Sequence, residues 1–306
     1  MSDPAIRTEG LSKQYGSLHA LSDLSMEVTR GEVFGFLGPN GAGKTTTIRL
    51  LLGLIHPSAG RAEIFGLDCH RNSVEVHRKI SYVPGETGLW PSLTGEETLY
   101  LLGRVHGKVD EAYRNELVQR FNLDVSRRIR TYSRGNRQKV ILISALMSRP
   151  DLMILDEPTS GLDPIMEHEF RHCIDEARER GQTVFLSSHI LSEVEALCDR
   201  VGILREGRLI EIGTLEEMRH LSALTIEATF AGEIPDLSMI PGVGSIRQDG
   251  RSVSLQFTGS LKPLLEMLAA SEVSELVSRE PSLEELFISL YGDHQVPKVT
   301  ENSAEH

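Results

Sequence analysis

A glycine-rich loop between an apolar run and a helical pattern constrains the fold of this chain more than any other stretch. Residues 35–54 read GFLGPNGAGKTTTIRLLLGL, and within them the pattern G-x-x-x-x-G-K-S/T begins at Gly38 and ends at Thr45. Glycines let the backbone turn so that successive N–H groups point inward at an anion. The helix predicted from about Lys44 adds the positive end of its dipole. The order of strand, loop and helix therefore predicts a phosphate site in an α/β fold.

The side chains and the backbone of this loop have distinct expected roles. Lys44 can reach the β- and γ-phosphates of a nucleotide as a point charge, and the Thr45 hydroxyl can ligate Mg²⁺. Successive amides of the loop would hold the other phosphate oxygens. The expected nucleotide-binding residues of the loop are Gly38, Pro39, Asn40, Gly41, Ala42, Gly43, Lys44, Thr45 and Thr46.

A second stretch supplies the acids that a hydrolytic phosphate site needs. In LMILDEPTSGLD, residues 152–163, four apolar residues predict a buried strand that ends at Asp156, whose carboxylate would lie beside the phosphates and hold Mg²⁺. Glu157 follows directly and can polarise an attacking water. Two adjacent acids could instead only cap the next helix. The chain has no N-K-x-D motif, which disfavours a GTPase, and a metabolic kinase would need an acceptor site.

The remaining pattern of the first two thirds of the chain is typical of an α/β protein. LMILD and TVFLSS (183–188) are short buried-strand patterns separated by helical ones, which indicates a parallel sheet covered on both faces. From about residue 95 to 149, apolar residues recur at helical spacing, with breaks near Asp124 and at TYSRGNRQ. VGILREGRLIEIG (201–213) predicts a β-hairpin with its turn at Gly207.

The pattern changes near residue 221, where we predict a small C-terminal α+β domain over residues 221–292. LTIEATF and RSVSLQF alternate apolar and polar residues, as half-buried strands do, and PGVGSIRQDG between them is expected to be a turn-rich link. LKPLLEMLAA and PSLEELFISLYG each predict a short amphipathic helix. The polar tail, residues 293–306, is expected to be disordered.

Composition excludes some partners and locations. The chain has 306 residues and a formal net charge of −12, which disfavours nucleic acid as a partner because phosphate binding needs clustered Lys and Arg. We see no N-terminal signal peptide and no apolar run near the ~20 residues that span a bilayer. We therefore expect a cytoplasmic protein that reaches a membrane only through a partner.

The ordered set of motifs resembles the ATP-binding-cassette (ABC) ATPases. The loop at residues 38–45 is similar to their Walker A motif, and LMILDEPTSGLD is similar to the Walker B strand, the catalytic glutamate and the D-loop, which ends at Asp163. His189 in FLSSHIL matches the switch histidine that contacts the γ-phosphate, and Tyr15 in SKQYG matches the aromatic residue that stacks on adenine. The resemblance implies ATP and Mg²⁺ as cofactors. It also implies an ABC ATPase domain over residues 1–220, made of a P-loop NTPase core, an antiparallel β subdomain and a helical subdomain at about 90–150.

Two motifs of the family occur here in altered form. TYSRGNRQK resembles the signature LSGGQ: Ser133 and Gly135 match it, while Arg134 replaces a glycine and Asn136 replaces the glutamine. In the family, the signature closes over the nucleotide of a facing subunit, which implies a homodimer around two ATP molecules. At the Q-loop the usual glutamine is replaced by Gly85, so we name the neighbouring Glu86 as a candidate metal ligand.

A narrower group, the ATPase subunits of daunorubicin-resistance and tetronasin-type multidrug exporters, is similar to this chain in the stretch YSRGNRQK, the segment PSLEELFISLYG and the small C-terminal domain. The resemblance to this group implies a separate permease of the ABC-2 class as a partner. That partner would place the chain on the inner face of the membrane. Within the expected coupling loop at 85–96, Trp90 is either a core residue or an exposed anchor for that permease. The alternative is an ABC ATPase of ribosomes or DNA repair, although those usually carry two cassettes or a coiled-coil insertion.

Overall fold

The computed structural model describes residues 4–85, 88–106, 109–220 and 224–279. The chain divides into two compact units, the first ending at Thr214 and the second beginning at Leu215. This division lies a few residues before the predicted boundary at 220/221; that boundary and the helical subdomain at about 90–150 stay predictions.

The first unit contains a central sheet with one small sheet beside it. Its strands are β1 (Ile6–Tyr15), β2 (Leu18–Val28), β3 (Val33–Leu37), β4 (Ala59–Ile64), β5 (Leu67–Asp68), β6 (Ile80–Val83), β7 (Leu152–Asp156), β8 (Thr183–Ser188), β9 (Arg200–Arg205) and β10 (Arg208–Thr214). Its helices are α1 (Lys44–Leu51), α2 (Ser73–His77), α3 (Gly95–His106), α4 (Glu111–Arg120), α5 (Arg134–Leu146), α6 (Pro164–Glu179) and α7 (Leu191–Leu197).

The central sheet has six strands in the order β10-β9-β3-β8-β7-β6. Its neighbouring strands are parallel except for β10 and β9, which form the predicted hairpin. Every residue of β3, β7 and β8 is buried, which explains why these strands carry no alternation of polar and apolar residues. The parallel sheet predicted from the sequence is confirmed.

An antiparallel sheet of four strands, in the order β2-β1-β4-β5, shares a core with the central sheet. Side chains of both sheets and of α1, such as Ile6, Ile48 and Phe185, belong to one buried cluster. The ring of Phe185 stacks on Phe34 with 5.9 Å between ring centroids. This cluster lies under the glycine-rich loop and holds β3 and α1 at the loop's two ends.

A helical segment, α3 to α5, lies between β6 and β7 in the sequence, and both α3 and α4 pack on α5. Arg120 at the end of α4 connects this segment to α6. Its guanidinium is 2.6 Å from Glu169 and 2.9 Å from Glu176, and Glu116 lies at 3.3 Å. These ion pairs join the helical segment to the helix that follows the Asp156 strand.

The C-terminal unit contains α8 (Leu215–His220), β11 (Leu224–Phe230), β12 (Val243–Asp249), β13 (Ser252–Phe257), α9 (Lys262–Ala270) and β14 (Val273–Arg279). Its antiparallel sheet has the order β12-β13-β11-β14, and α9 contributes Leu264 and Leu268 to a core on one face.

The prediction of a turn-rich link at PGVGSIRQDG was wrong, because β12 occupies most of it and pairs with β13. All but one of the β12 residues are exposed, so this edge strand lacks the alternating pattern that marked its neighbours. Strand β14 was not foreseen, for the same reason. The segment PSLEELFISLYG and the tail from 293 lie outside the described residues. Within the described part of the chain, we find no helix long and apolar enough to cross a membrane.

Candidate nucleotide site

A cavity of about 490 Å³ opens at the carboxyl ends of the central strands. The loop between β3 and α1 forms its floor, and the connection between β1 and β2 forms one wall with Tyr15, whose ring is 44% exposed. Glu157 and Glu206 complete the lining. Residues predicted from the sequence to bind nucleotide thus line one cavity; Gly38 and Ala42 support the loop without lining it. Carboxyl ends of parallel strands are where α/β folds commonly bind ligands.

The tight path of the loop depends on Gly43. This residue adopts φ +111°, and a Cβ at this position would lie 2.6 Å from the Ala20 carbonyl oxygen. A larger residue would therefore be strained in its backbone and would collide with β2. The turn delivers Lys44 as the first residue of α1, so that the amides of the first helical turn face the cavity.

Lys44 is held inside the loop. Its side chain is 6% exposed, and its ammonium donates hydrogen bonds to the carbonyl oxygens of Gly38 at 2.6 Å and Pro39 at 3.3 Å. It also lies 3.8 Å from Glu157 Oε1. Burial lowers the pKa of Lys44, while the carboxylates of Glu157 and Asp156 oppose that shift. The positive charge is thus placed between the loop and the acids of β7.

Asp156 and Thr45 form a pair of oxygen ligands. The Thr45 hydroxyl donates to Asp156 Oδ2 at 3.2 Å, and the Ser187 hydroxyl of β8 donates to Asp156 Oδ1. Asp156 is 4% exposed, so these bonds fix its orientation. Carboxylate and hydroxyl oxygens are ligands that suit Mg²⁺. Ser187 was missed by the sequence analysis, although the polar end of TVFLSS was a signal for it.

Glu157 has an unusual backbone that aims its side chain. Its φ of +49° lies in the left-handed region, which costs a non-glycine residue on the order of 1 kcal/mol or more. The Glu157 amide donates to the Ser187 carbonyl oxygen at 3.0 Å, and its Oε1 lies 3.0 Å from His189 Nδ1. The predicted base and the predicted switch histidine therefore contact each other directly.

The predicted signature residues lie elsewhere in the unit. Ser133 caps α5, where its hydroxyl accepts from the Asn136 amide at 3.2 Å. A Cβ on Gly135 would lie 2.7 Å from the Gly161 carbonyl oxygen. Asp163 caps α6 and accepts from two amides of its first turn at 3.1 Å each. None of these residues lines the cavity, so they lie apart from the residues of the glycine-rich loop.

Polar side chains of α5 connect this helix to the segment after Glu157. The Arg134 guanidinium donates to the Ser160 hydroxyl at 2.7 Å, and its aliphatic part packs on Gly161. The buried Gln138 donates from its amide to the Pro158 carbonyl oxygen at 2.7 Å. The arginine that departs from the family signature therefore has a partner within its own chain.

The Q-loop region is described in part. A Cβ on Gly85 would lie 3.5 Å from Asp156 Oδ2, which is ordinary van der Waals contact, so this position lies beside a predicted metal ligand and has room for a side chain. The candidate ligand Glu86 lies outside the described residues. Trp90 is 48% exposed, which excludes the interpretation of it as a core residue.

Comparison with known proteins decides the family. The profile described as ABC transporter matches residues 21–160. The bacitracin transport ATP-binding protein BcrA of Bacillus licheniformis is 35% identical, over 94% of this chain and 97% of that protein. This chain belongs to the ABC transporter ATPases. The daunorubicin resistance ATP-binding protein DrrA3 of Streptomyces coeruleorubidus is also 35% identical to this ATPase, over 96% of this chain and 98% of the relative.

A solved structure described as the ATP-binding subunit of an ABC transporter has the fold of this ATPase. It aligns with a TM-score of 0.66 and 34% identity, over 71% of this chain and 92% of that one. The family and the fold predicted from the sequence are confirmed, and the ATPase shares the family's binding of ATP. The roles of individual residues stay predictions.

Proposed function

We propose that this chain is the ATP-hydrolysing subunit of an exporter that moves a drug or an antibiotic-like compound through a separate membrane permease. The observation that carries the proposal is the convergence of Lys44 and Glu157 on one cavity beside the Thr45–Asp156 pair, with His189 in contact with Glu157. The near full-length relatives named for bacitracin transport and daunorubicin resistance support transport.

The site chemistry is that of water attacking a γ-phosphate. The loop amides and Lys44 neutralise the phosphate oxygens, and Tyr15 offers its exposed ring to the adenine. Glu157 orients the water and accepts its proton, while His189, held on the same carboxylate, contacts the γ-phosphate. Mg²⁺, which Thr45 and Asp156 are suited to hold, would neutralise charge that develops between the β- and γ-phosphates.

The separation of the two sets of predicted residues supports a homodimer. Ser133 and Gly135 lie at the start of α5 and do not line the cavity of their own chain. The free amides and the positive dipole at the start of α5 suit the γ-phosphate of a nucleotide bound by a second copy. Two copies facing head to tail would then enclose two ATP molecules, with Asp163 of each copy near the contact between the copies.

An exposed apolar groove supports docking of the permease. A cavity of about 510 Å³ is lined mostly by apolar side chains of α2, β6, α3 and the segment that follows α1. Among them Val105 is 76% exposed, and Leu54 and Val74 are each 60% exposed. An amphipathic cytoplasmic helix of an ABC-2 permease fits such a groove, because it buries an apolar face between two elements. Trp90, in the expected coupling loop, is a further exposed contact.

Fractionation of cells that express the full chain with its permease tests this proposal. The wild-type chain is expected in the membrane fraction, as a peripheral protein that co-purifies with an identified multi-span partner. Val105→Glu should reduce that fraction several-fold, because it places a charge in the groove. Met239→Glu changes a residue that is 79% exposed in the other unit and is the matched control. Equal membrane binding by Val105→Glu and wild type would remove the groove from the proposal.

A further inference from the structure

A buried glutamate next to the site has no role in the mechanism above. Glu193 lies in the first turn of α7 and is 4% exposed. Its Oε2 accepts a hydrogen bond from the Ser188 hydroxyl at 2.6 Å, and the Thr159 side chain lies close to the carboxyl group. Its Oε1 has no hydrogen-bond partner among the described residues. Burial raises the pKa of Glu193, so the folded protein resists a charge at this position.

The contact with Ser188 fixes the turn that carries the switch histidine. The Ser188 hydroxyl donates to Glu193 and at the same time accepts from the Ile190 amide at 3.0 Å. One hydroxyl therefore bridges the backbone on both sides of His189. Because the Ser188 hydroxyl donates its proton to Glu193, the carboxyl group fixes the position of the Ser188 oxygen. That position in turn fixes the direction of the turn that carries His189.

The contact with Thr159 reaches the segment that carries the predicted base. Thr159 is 6% exposed and lies two positions after Glu157 in the chain. The Ser160 amide donates back to the Glu157 carbonyl oxygen at 3.2 Å, which closes a tight turn around Thr159. The carboxyl group of Glu193 is thus bonded to the turn after β8 and lies beside the turn after β7.

We propose that Glu193 is a positioning residue for ATP hydrolysis, whose carboxyl group holds Ser188 and so keeps His189 in contact with Glu157. This inference rests on the proposed roles of Glu157 and His189. A purely packing role would be filled better by an apolar residue, because a buried carboxyl group with an unpaired oxygen loses its hydration without full compensation. The His189 Nδ1–Glu157 Oε1 distance of 3.0 Å is the geometry that the carboxyl group maintains.

Four variants of the full-length chain test the positioning role, each measured for kcat and KM of ATP hydrolysis and for thermal unfolding. Glu193→Leu keeps the volume and removes both acceptors, so kcat should fall about 10- to 100-fold with KM changed less than about threefold. Glu193→Gln retains an acceptor oxygen and should keep kcat within about threefold of wild type.

Ser188→Ala removes the same hydrogen bond from its other end and should lower kcat at least about fivefold. Combined with Glu193→Leu it should add little, because both changes remove one interaction. Ser144→Ala is the matched control, since Ser144 is also buried but its hydroxyl bonds only within its own helix. Should Glu193→Leu fail to fold, Ser188→Ala alone decides between the outcomes.

Unchanged kcat in a folded Glu193→Leu or Ser188→Ala chain overturns the positioning role. Equal losses in Glu193→Gln and Glu193→Leu overturn the assignment of the acceptor as the active feature. Wild type and Glu157→Gln are run in the same assay. If Glu157→Gln hydrolyses ATP at the wild-type rate, the proposed hydrolysis site is wrong. If Glu157→Gln is inactive but Glu193→Leu hydrolyses ATP at the wild-type rate, only the positioning role of Glu193 is wrong.

Discussion

The predicted site residues of the first unit lie in two regions: the loop side, which is the glycine-rich loop with the ends of β7 and β8, and the α5 side, which is the start of α5. These two regions use their polar groups in opposite ways. On the loop side, Lys44 from α1 and Glu157 from the end of β7 converge on one cavity, and Asp156 bonds to Thr45 beside them. On the α5 side, Ser133 and Arg134 direct their polar groups to their own chain, as a helix cap and as a contact to the D-loop.

The difference indicates that a single copy assembles only the loop side of the proposed reaction centre. Parallel strands bring their carboxyl ends to one edge, so residues that follow β3, β7 and β8 must meet there. Helix α5 begins outside that edge and presents a preformed surface with free amides. Changes on the loop side should therefore affect events within one copy, and changes on the α5 side should affect only the closed dimer.

The largest expected effect is that of Glu157→Gln. The amide cannot accept the proton of the attacking water, so hydrolysis should fall at least about 10²–10³-fold. The Gln side chain keeps its size, so the Kd for ATP should change less than about threefold. Phosphate release and equilibrium nucleotide binding, measured on the same preparation, check both statements. Turnover at the wild-type rate would show that another group is the base.

The next effect is the loss of ATP binding in Lys44→Ala. Removal of a buried point charge at the phosphates should weaken ATP about 10²-fold, measured by equilibrium binding at a concentration where the chain is monomeric. Lys262→Ala removes a lysine that is 80% exposed and is the charge-matched control. If Lys44→Ala binds as well as its control, the loop side does not act within one copy.

Gly135→Ala tests the α5 side. A Cβ there would lie 2.7 Å from the Gly161 carbonyl oxygen, so the start of α5 and the D-loop must move apart. We expect ATP binding by the monomer to stay within about twofold of wild type, while hydrolysis and ATP-dependent dimerisation fall about tenfold or more. Light scattering with ATP checks the dimer. A parallel loss of monomer binding would remove the distinction between the two sides.

Arg120 joins the helical segment to α6, and its loss should lower stability. The Arg120 hydrogen bond holds the pKa of Glu176 below its ordinary value of 4.5. The stabilisation is therefore complete above that value and is lost as the pH falls through the lower pKa of the folded state. Arg120→Ala should lower the free energy of unfolding by about 1 kcal/mol at pH 7, since these pairs are partly screened by solvent, and should flatten its acid dependence below about pH 4.5.

The control for Arg120→Ala is Arg104→Ala, which removes an exposed arginine of the same helical segment. Denaturant unfolding at several pH values measures both chains. An unchanged acid dependence in Arg120→Ala would show that the ion pairs to Glu169 and Glu176 do not stabilise the fold.

The smallest expected effect is that of Arg134→Ala. Its contact with Ser160 is exposed, so the free energy of unfolding should change by only about 0.5 kcal/mol and monomer ATP binding should not change. ATP turnover by the dimer should change about twofold, because the D-loop loses one contact to α5. A tenfold loss of turnover would show that Arg134 itself acts on the facing nucleotide.

The sequence by itself determined the parallel sheet, the phosphate loop and the two acids after β7. These features depend on local chemistry: glycines that permit a tight turn, apolar strands, and polar residues directly after them. The edge strands β12 and β14 could not be predicted in the same way, because nearly all of their residues are exposed and their pairing depends on a neighbouring strand.

Only the tertiary structure decided which polar groups meet. Glu193 finds Ser188 and Thr159, Arg134 finds Ser160, and Arg120 finds Glu176, a residue 56 positions away. A sequence pattern shows that such a side chain is present but not its partner. The partner is set by the packing of helices on the sheet, which brings distant residues within hydrogen-bond reach. Where these polar groups are buried, they bond to the partner that the packing supplies because water is excluded.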